Sequence, residues 1–391
     1  MTPERLPQDR QPVIIAAKRT PVCRVNGALR RLRAHELLAP VLRELAADAG
    51  AVPDVVIGNA VGGGGNVARL ALLEAGLPVS VPGMTVDRQC GSGLDSVVLA
   101  ARLVAAGGNP LYLAGGVEST STAPLRAYRN DDGAPEFYRR ARFVPENFGD
   151  PDMGVAAETV AQKFGISRGR QDGFALRSHQ LALAAARAGH FDGELVPLDT
   201  AAGRIHADDG PRPALNAAVM ARFPPVFVPG GTVTAGNSCF DADAASAVVI
   251  TSVQRARELG ATDGLLVLET ATSGVDPEVL GIGAAVAART VLANAGLGAD
   301  RVDLVEFNEA FASQTLACLD QLGISGQRTN SDGGALALGH AYGASGAILV
   351  TRLLAQARRS GKADSLALAL ISIAGGMGTA ALMQYRRLDA S

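Results

Sequence analysis

Cysteine is scarce in this chain, and the four present, Cys23, Cys90, Cys239 and Cys318, lie far apart with no C-x-x-C pair. No disulfide framework can be read from them, and they are expected to be reduced thiols in a cytoplasmic protein. Net charge is also small, since 36 Lys and Arg stand against 38 Asp and Glu, and no basic run is interleaved with aromatics. A nucleic-acid partner is therefore not expected. The five histidines include no i,i+4 pair enclosing a glutamate, so no metal site is expected. Residues 1–10 are polar and hold two prolines; they make neither a signal h-region nor an amphipathic presequence. No apolar run approaches the ~20 residues of a membrane span, and no membrane partner is expected.

What is present is an ordinary, well-buried composition, 48% hydrophobic against 19% charged over 391 residues, enough for two core-bearing units. Strand and helix signals alternate from the start. Pro12 to Ala17 reads as a strand, His35 to Ala49 as a helix closed by Gly50, and Val55 to Gly58 as a second strand. The glycine run Gly62 to Gly65 lacks the G-K-[ST] of a phosphate loop, and reads instead as a tight entry to a helix capped by Asn66. Pro82 to Val86 leads to Cys90, and Leu111 to Ala114 is a strand ending at Gly115-Gly116. From Glu118 to about Pro229 prolines, charged clusters and short helices replace this alternation, as in an insertion. The regular texture resumes at Thr232 and runs to the end.

The stretch Val86-Asp87-Arg88-Gln89-Cys90-Gly91-Ser92-Gly93 sets one cysteine between a strand and a helix. Unpaired N–H groups at a helix start favour thiolate over thiol, so a lowered thiol pKa is expected at Cys90. Set against this, a free cysteine is also a small buried hydrophobe. An internal echo supports the first reading. Cys90-Gly91-Ser92-Gly93, a helix, and Leu111 to Gly116 are matched by Gly343-Ala344-Ser345-Gly346, a helix, and Ile371 to Gly376. Two similar α/β halves, the first with a long insertion, would bring the two loops to one site at strand carboxyl ends. The second half adds Glu306-Phe307-Asn308-Glu309-Ala310-Phe311-Ala312 at a strand end, and His340 among glycines. A cysteine, a histidine and an asparagine on separate loops are a set that acyl transfer uses: nucleophile, imidazole, and an amide that orients water or oxyanion.

With these residues in order, together with Ala17-Lys18-Arg19-Thr20-Pro21, Ala114-Gly115-Gly116-Val117-Glu118-Ser119 and Thr234-Ala235-Gly236-Asn237, the chain closely resembles the thiolases. The resemblance implies an α/β, five-layered fold of two repeated βαβαβαββ halves with an inserted loop domain. It divides the chain at 1–117 (first half), 118–231 (loop domain), 232–256 (last strands of the first half) and 257–391 (second half). It implies homodimers or homotetramers, no covalently bound cofactor, and coenzyme A thioesters as substrates, with acyl carrier thioesters as an alternative. The implied reaction takes an acyl group from acyl-CoA onto Cys90, then condenses it with acetyl-CoA or, in reverse, cleaves a 3-ketoacyl-CoA with CoA.

Carried over residue by residue, the resemblance makes Cys90 the acyl carrier, activated by His340. His340 and a water held by Asn308 bind the thioester oxygen of the second substrate. The N–H groups of Cys90 and Ala374 form the other oxyanion hole. Met153 and Phe311 line the pocket, and Arg212 lies against the adenine. The chain departs from the family where a second cysteine acts as acid/base and here Ser372 stands. A hydroxyl lies about six pKa units above a thiol, so serine alone does not replace that base, whereas acylation of Cys90 needs only His340. Ser238, Cys239 and Phe240 follow Asn237 where the family has Ala-Ser-Gly, and put a thiol and a ring against the pantetheine path; His340 is followed by Ala341 in place of proline. Cys239 is a candidate for the missing thiol. Two other outcomes stay open: acyl transfer to a non-carbon acceptor or to water, and a non-catalytic acyl-CoA-binding scaffold.

Overall fold

The computed structural model describes residues 7–388; residues 1–6 of the polar leading stretch lie outside the described residues. The first half opens on β1 (Pro12–Arg19) and β2 (Cys23–Arg24). It continues through α1 (Ala34–Ala49), β3 (Val55–Gly58), α2 (Val67–Glu74), β4 (Gly83–Val86), α3 (Ser92–Ala105) and β5 (Leu111–Ser119). The chain then leaves the main sheet for a hairpin of β6 (Arg126–Arg129) and β7 (Pro135–Tyr138), helices α4 (Met153–Lys163) and α5 (Arg168–Arg187), a small hairpin of β8 (Leu198–Thr200) and β9 (Gly203–Ile205), and α6 (Ala217–Ala221). It returns with β10 (Ala242–Ser252) and α7 (Val253–Glu258). The second half holds β11 (Asp263–Gly274), α8 (Gly283–Ala295), β12 (Leu304–Phe307), α9 (Ala312–Leu322), α10 (Ala335–Leu338), α11 (Tyr342–Ser360), β13 (Leu366–Ile373) and β14 (Met377–Arg387).

The strands form one sheet in the order β12-β13-β14-β11-β1-β10-β5-β3-β4, with β2 beside β10. Its two halves join between β1 and β11, where Val13 faces Leu266 and Ile14 faces Leu265. Strands such as β13, buried along its whole length, need apolar cover on both faces, and three clusters of apolar side chains supply it. Leu42 and Leu72 of α1 and α2 pack on Val55 and Leu113. Val291 and Leu319 of α8 and α9 pack on Val305 and Leu382. Between the half-sheets, Leu94 and Val98 of α3 and Leu353 of α11 meet Val56 and Ala114 from one half and Ala369 and Ala381 from the other. Helices, sheet, helices, sheet, helices: the five layers follow, and the two glycine-flanked loops sit on the paired central helices.

Two local expectations change. β5 runs through Gly115-Gly116 to Ser119, because these glycines stay paired with Ala247 and Ser246 of β10, and a Cβ on Gly116 would overlap the Gly343 carbonyl. In the second copy of the echo, Gly375 and Gly376 both have φ +81° and turn the chain from β13 into β14. The glycine pair is thus a close approach in one half and a turn in the other. The stretch Pro277–Ala295, in turn, is long and apolar enough to cross a membrane. Half of it is buried in the core, and its helical path breaks at Val279 (φ −118°, ψ 33°).

A buried charge network ties three parts of the chain together. Arg19 of β1 is 2.6 Å from Glu194 and 2.7 Å from Asp208. Arg352 of α11 pairs with the same Glu194 and with Asp332, which also accepts from Arg359 at 2.8 Å. Charges this deep are held by pairing.

Candidate active site

The loop from β4 to α3 is fixed by its own polar groups. Asp87 Oδ1 accepts the Gln89 N–H at 2.7 Å, and Ser92 Oγ accepts the Arg88 N–H at 2.8 Å while donating to the Gln89 carbonyl at 2.6 Å. Gln89 is forced to φ +47°, a sparsely populated conformation for a non-glycine residue. Cys90 follows, one residue before the Gly91 cap of α3. The backbone N–H groups of Ala374 and of Cys90 itself favour the thiolate, yet burial outweighs them and pushes the thiol up to about 12. The lowered pKa expected from the helix start is therefore overturned: desolvation of a thiolate exceeds what two N–H dipoles return.

Two cavities meet at this cysteine. One, of about 420 Å³, is lined by Cys90, Cys239, His340, Phe311 and Ser372 among others. The second, of about 810 Å³, runs beneath the β6–β7 hairpin past Leu125 and Phe143. Cys90, Met153, Asp241, Tyr342 and Ala374 line both.

His340 is carried by the turn after α10. Its N–H donates to the Phe240 carbonyl at 2.9 Å and its carbonyl accepts the Ala242 N–H at 3.1 Å, so the loop leading into β10 and the histidine loop hold each other. The ring Nδ1 lies 2.7 Å from Ser345 Oγ, which accepts the Ala341 N–H at 3.0 Å. Burial lowers the imidazole to about 4, so it is neutral at pH 7. Its Nε2 is buried without a protein partner among the described residues, as is Asn308 Nδ2. Buried nitrogens left unpaired are uncommon and mark places where a ligand or water oxygen is accommodated. Asn308 sits on a loop held from behind by Glu309, whose buried carboxylate accepts from Ser178 Oγ, Asn330 Nδ2 and the Leu336 N–H. Asn308 itself lines neither cavity.

Ser372 lines the smaller cavity, but its hydroxyl is fully engaged: it donates to the Gly281 carbonyl at 2.6 Å and accepts from Ala284 N–H and Gln314 Nε2, each at 3.2 Å. Cys239 also lines this cavity, its thiol pushed well above the ordinary range by burial. Ser238 Oγ donates to the Thr234 carbonyl at 2.7 Å. The Phe240 ring forms part of the wall with its edge against Gly210 and Gly339, under the Arg24 guanidinium at 4.9 Å. Arg212 lines neither cavity; its backbone N–H donates to His179 Nδ1 at 3.2 Å.

Three residues of the site escaped sequence reasoning. Ser345, already visible in the Gly-Ala-Ser-Gly echo, orients the histidine ring from five positions away. Asp241 and Tyr342 form a pair in which the tyrosine hydroxyl donates to Asp241 Oδ1 at 2.5 Å, and the Tyr342 ring stands edge-on to His340 at 5.1 Å. No local pattern announces that pair, because its members lie 101 positions apart.

Comparison with known proteins shows what the whole chain is similar to. A family model of the thiolase N-terminal domain matches residues 12–254, and one of the thiolase C-terminal domain matches residues 265–385. A provisionally named acetyl-CoA C-acetyltransferase, VraB, of Staphylococcus epidermidis is 43% identical over 96% of this chain and 98% of the relative. Its Staphylococcus aureus counterpart is 44% identical over 95% and 98%. Among solved structures, the human mitochondrial 3-ketoacyl-CoA thiolase superposes with a TM-score of 0.89 at 33% identity, covering 97% of this chain and all of that one. The Bacillus anthracis acetyl-CoA acetyltransferase does so with 0.87 at 32% identity, covering 96% and 98%.

Proposed function

The chain belongs to the thiolase family and is an acyltransferase, and from that premise we propose that it forms an acyl-enzyme on Cys90 from an acyl-CoA thioester. The acyl group then passes to the α-carbon of acetyl-CoA, or arrives by cleavage of a 3-ketoacyl-CoA with CoA. One observation carries the reading: Cys90 and His340, whose neutral imidazole leaves Nε2 without a protein partner among the described residues, line the same cavity. The thiol, pushed up to about 12, does not ionise by itself at neutral pH. His340 takes its proton as the sulfur attacks the thioester carbonyl, and then delivers it to the departing CoA sulfur. The Cys90 and Ala374 N–H groups, which already favour negative charge on the sulfur, would hold the oxygen of the tetrahedral intermediate. Asn308 and His340 would hold the oxygen of the second thioester, Asn308 through a water. Met153, Phe311, Ser238, Cys239 and Phe240 would receive the pantetheine arm. Arg212 would meet the adenine from outside the cavities.

The same reading places the enzyme in the cytoplasm, with no bound cofactor, as a homodimer or homotetramer. Leu125 and Phe137, 88% and 64% exposed on the β6–β7 hairpin and its approach, support self-association. The boundaries 1–117, 118–231, 232–256 and 257–391 belong to this proposal. Mixing with acetyl-CoA is expected to release a burst of free CoA approaching one per chain, lost in Cys90→Ala. No burst with any acyl-CoA would favour the acyl-CoA-binding scaffold.

A further inference from the structure

Carbon–carbon chemistry needs a base for the α-proton of the second thioester, and the position expected to supply one is occupied by Ser372. Its only hydrogen is donated to the Gly281 carbonyl and its oxygen already accepts two N–H groups. Cys239 borders the same space, but its sulfur has no hydrogen-bonded base among the described residues to take its proton, and burial keeps it a thiol. Tyr342 spends its proton on Asp241. Cys90 carries the acyl group, and His340 is used in the acylation step and at the thioester oxygen.

One group is left. Asp241 is the only carboxylate among the residues lining the smaller cavity, and it borders the larger one as well, as Cys90 does. It is exposed into this space, directly after Phe240, whose carbonyl accepts the His340 N–H. Oδ1 accepts the Tyr342 hydroxyl at 2.5 Å, while Oδ2 has no protein hydrogen bond among the described residues. A carboxylate removes a proton α to a carbonyl when the enolate oxygen is held by an oxyanion hole. We propose, building on the acyl-enzyme reading above, that Asp241 is the catalytic base of the carbon–carbon step and that Tyr342 is its positioning residue.

The atoms balance. Oδ2 takes the α-proton of acetyl-CoA, and the C–H electron pair becomes the enolate, whose oxygen accepts from the water on Asn308 and from the Nε2–H tautomer of neutral His340, with Nδ1 then accepting from Ser345 Oγ. The enolate carbon attacks the acyl carbonyl on Cys90, the C–C bond forms, and the C–S bond breaks. The Cys90 thiolate then recovers the proton from Asp241, leaving a 3-ketoacyl-CoA. Thiolysis runs the same steps backwards.

The test is exchange of the acetyl-CoA α-protons with deuterated solvent, read beside the mass of the Cys90 adduct in the full-length enzyme. Asp241→Asn is expected to lower exchange at least about a hundredfold while acetyl still appears on Cys90, and Asp241→Glu is expected to recover part of the rate. Tyr342→Phe, which keeps the ring against His340, is expected to lower the maximal exchange rate about tenfold with little change in the half-saturating acetyl-CoA concentration. Exchange in Asp241→Asn equal to wild type overturns the assignment, as does its loss in Cys239→Ala instead, or loss of adduct and exchange together in Asp241→Asn. Absence of the adduct in the wild-type enzyme would sink the acyl-enzyme reading itself, a separate outcome.

Discussion

At Cys90 two influences oppose each other, and their magnitudes decide how the nucleophile is made. Two N–H groups favour the thiolate, but burial dominates and pushes the thiol up to about 12, in a cavity shared with an imidazole kept neutral by its own burial. Thiol and neutral base, not a preformed ion pair, is the resting state. Alkylation of Cys90 by iodoacetamide is accordingly expected to rise about tenfold per pH unit from pH 6 to 10, since the thiolate fraction keeps growing below the pKa. A rate independent of pH across that range would reveal an ion pair. Cys90 and His340 stood out in the sequence because each is flanked by glycine and other small residues, and Asn308 because it follows an apolar strand. The direction of the thiol shift was not legible, because the helix start is local whereas the burial of Cys90 is built by segments far apart in the chain. Asp241 and Tyr342 stayed hidden for the same reason.

Among the elements, the strand reading was sound and its ends were the weak point. Apolar runs announced β1, β3 and β13, and Asn66 does cap α2, accepting the Arg69 N–H at 3.2 Å. The Gly115-Gly116 pair looked like a stop, yet it is a crossing point where β5 meets the Gly343 turn of the other half. Glycine is silent about which of the two it serves, since both uses exploit the missing Cβ. Gly116→Ala would drive a methyl into the Gly343 backbone, a group with no rotamer to yield. The expected cost is at least about 1–3 kcal/mol, read as a lower urea midpoint with unchanged slope, together with slower Cys90 acylation because the same turn carries Tyr342 and Ser345. A Gly116→Ala protein as stable as wild type would show that the halves adjust to each other more freely than these contacts imply.

For the whole molecule, the repeated loop–helix–strand pattern made the two halves and the insertion visible before any coordinates, and the thiolase match extends over both halves. The order of strands, and the way the insertion is anchored, were not visible. The anchoring runs through Arg19, Glu194, Asp208, Asp332 and Arg352, whose pairings span up to 189 positions. Arg352→Ala leaves Glu194 and Asp332 buried with one cation fewer, and is expected to destabilise by about 3–5 kcal/mol. Burial opposes ionisation of Asp332, but Arg352 and Arg359 hold it below the usual carboxylate range. Its contribution is thus present above the unfolded value near pH ~4 and is lost as pH falls through the folded one; thermal melts of Arg352→Ala should show a weaker acid dependence there. All of this serves one arrangement, a sulfur and an imidazole from opposite halves facing a single cavity. Peptide mapping by mass spectrometry after brief exposure to acetyl-CoA tests it most directly: the account predicts an acetyl group on Cys90 that vanishes in His340→Ala, and an unmodified Cys90, or acetyl on another residue, would contradict it.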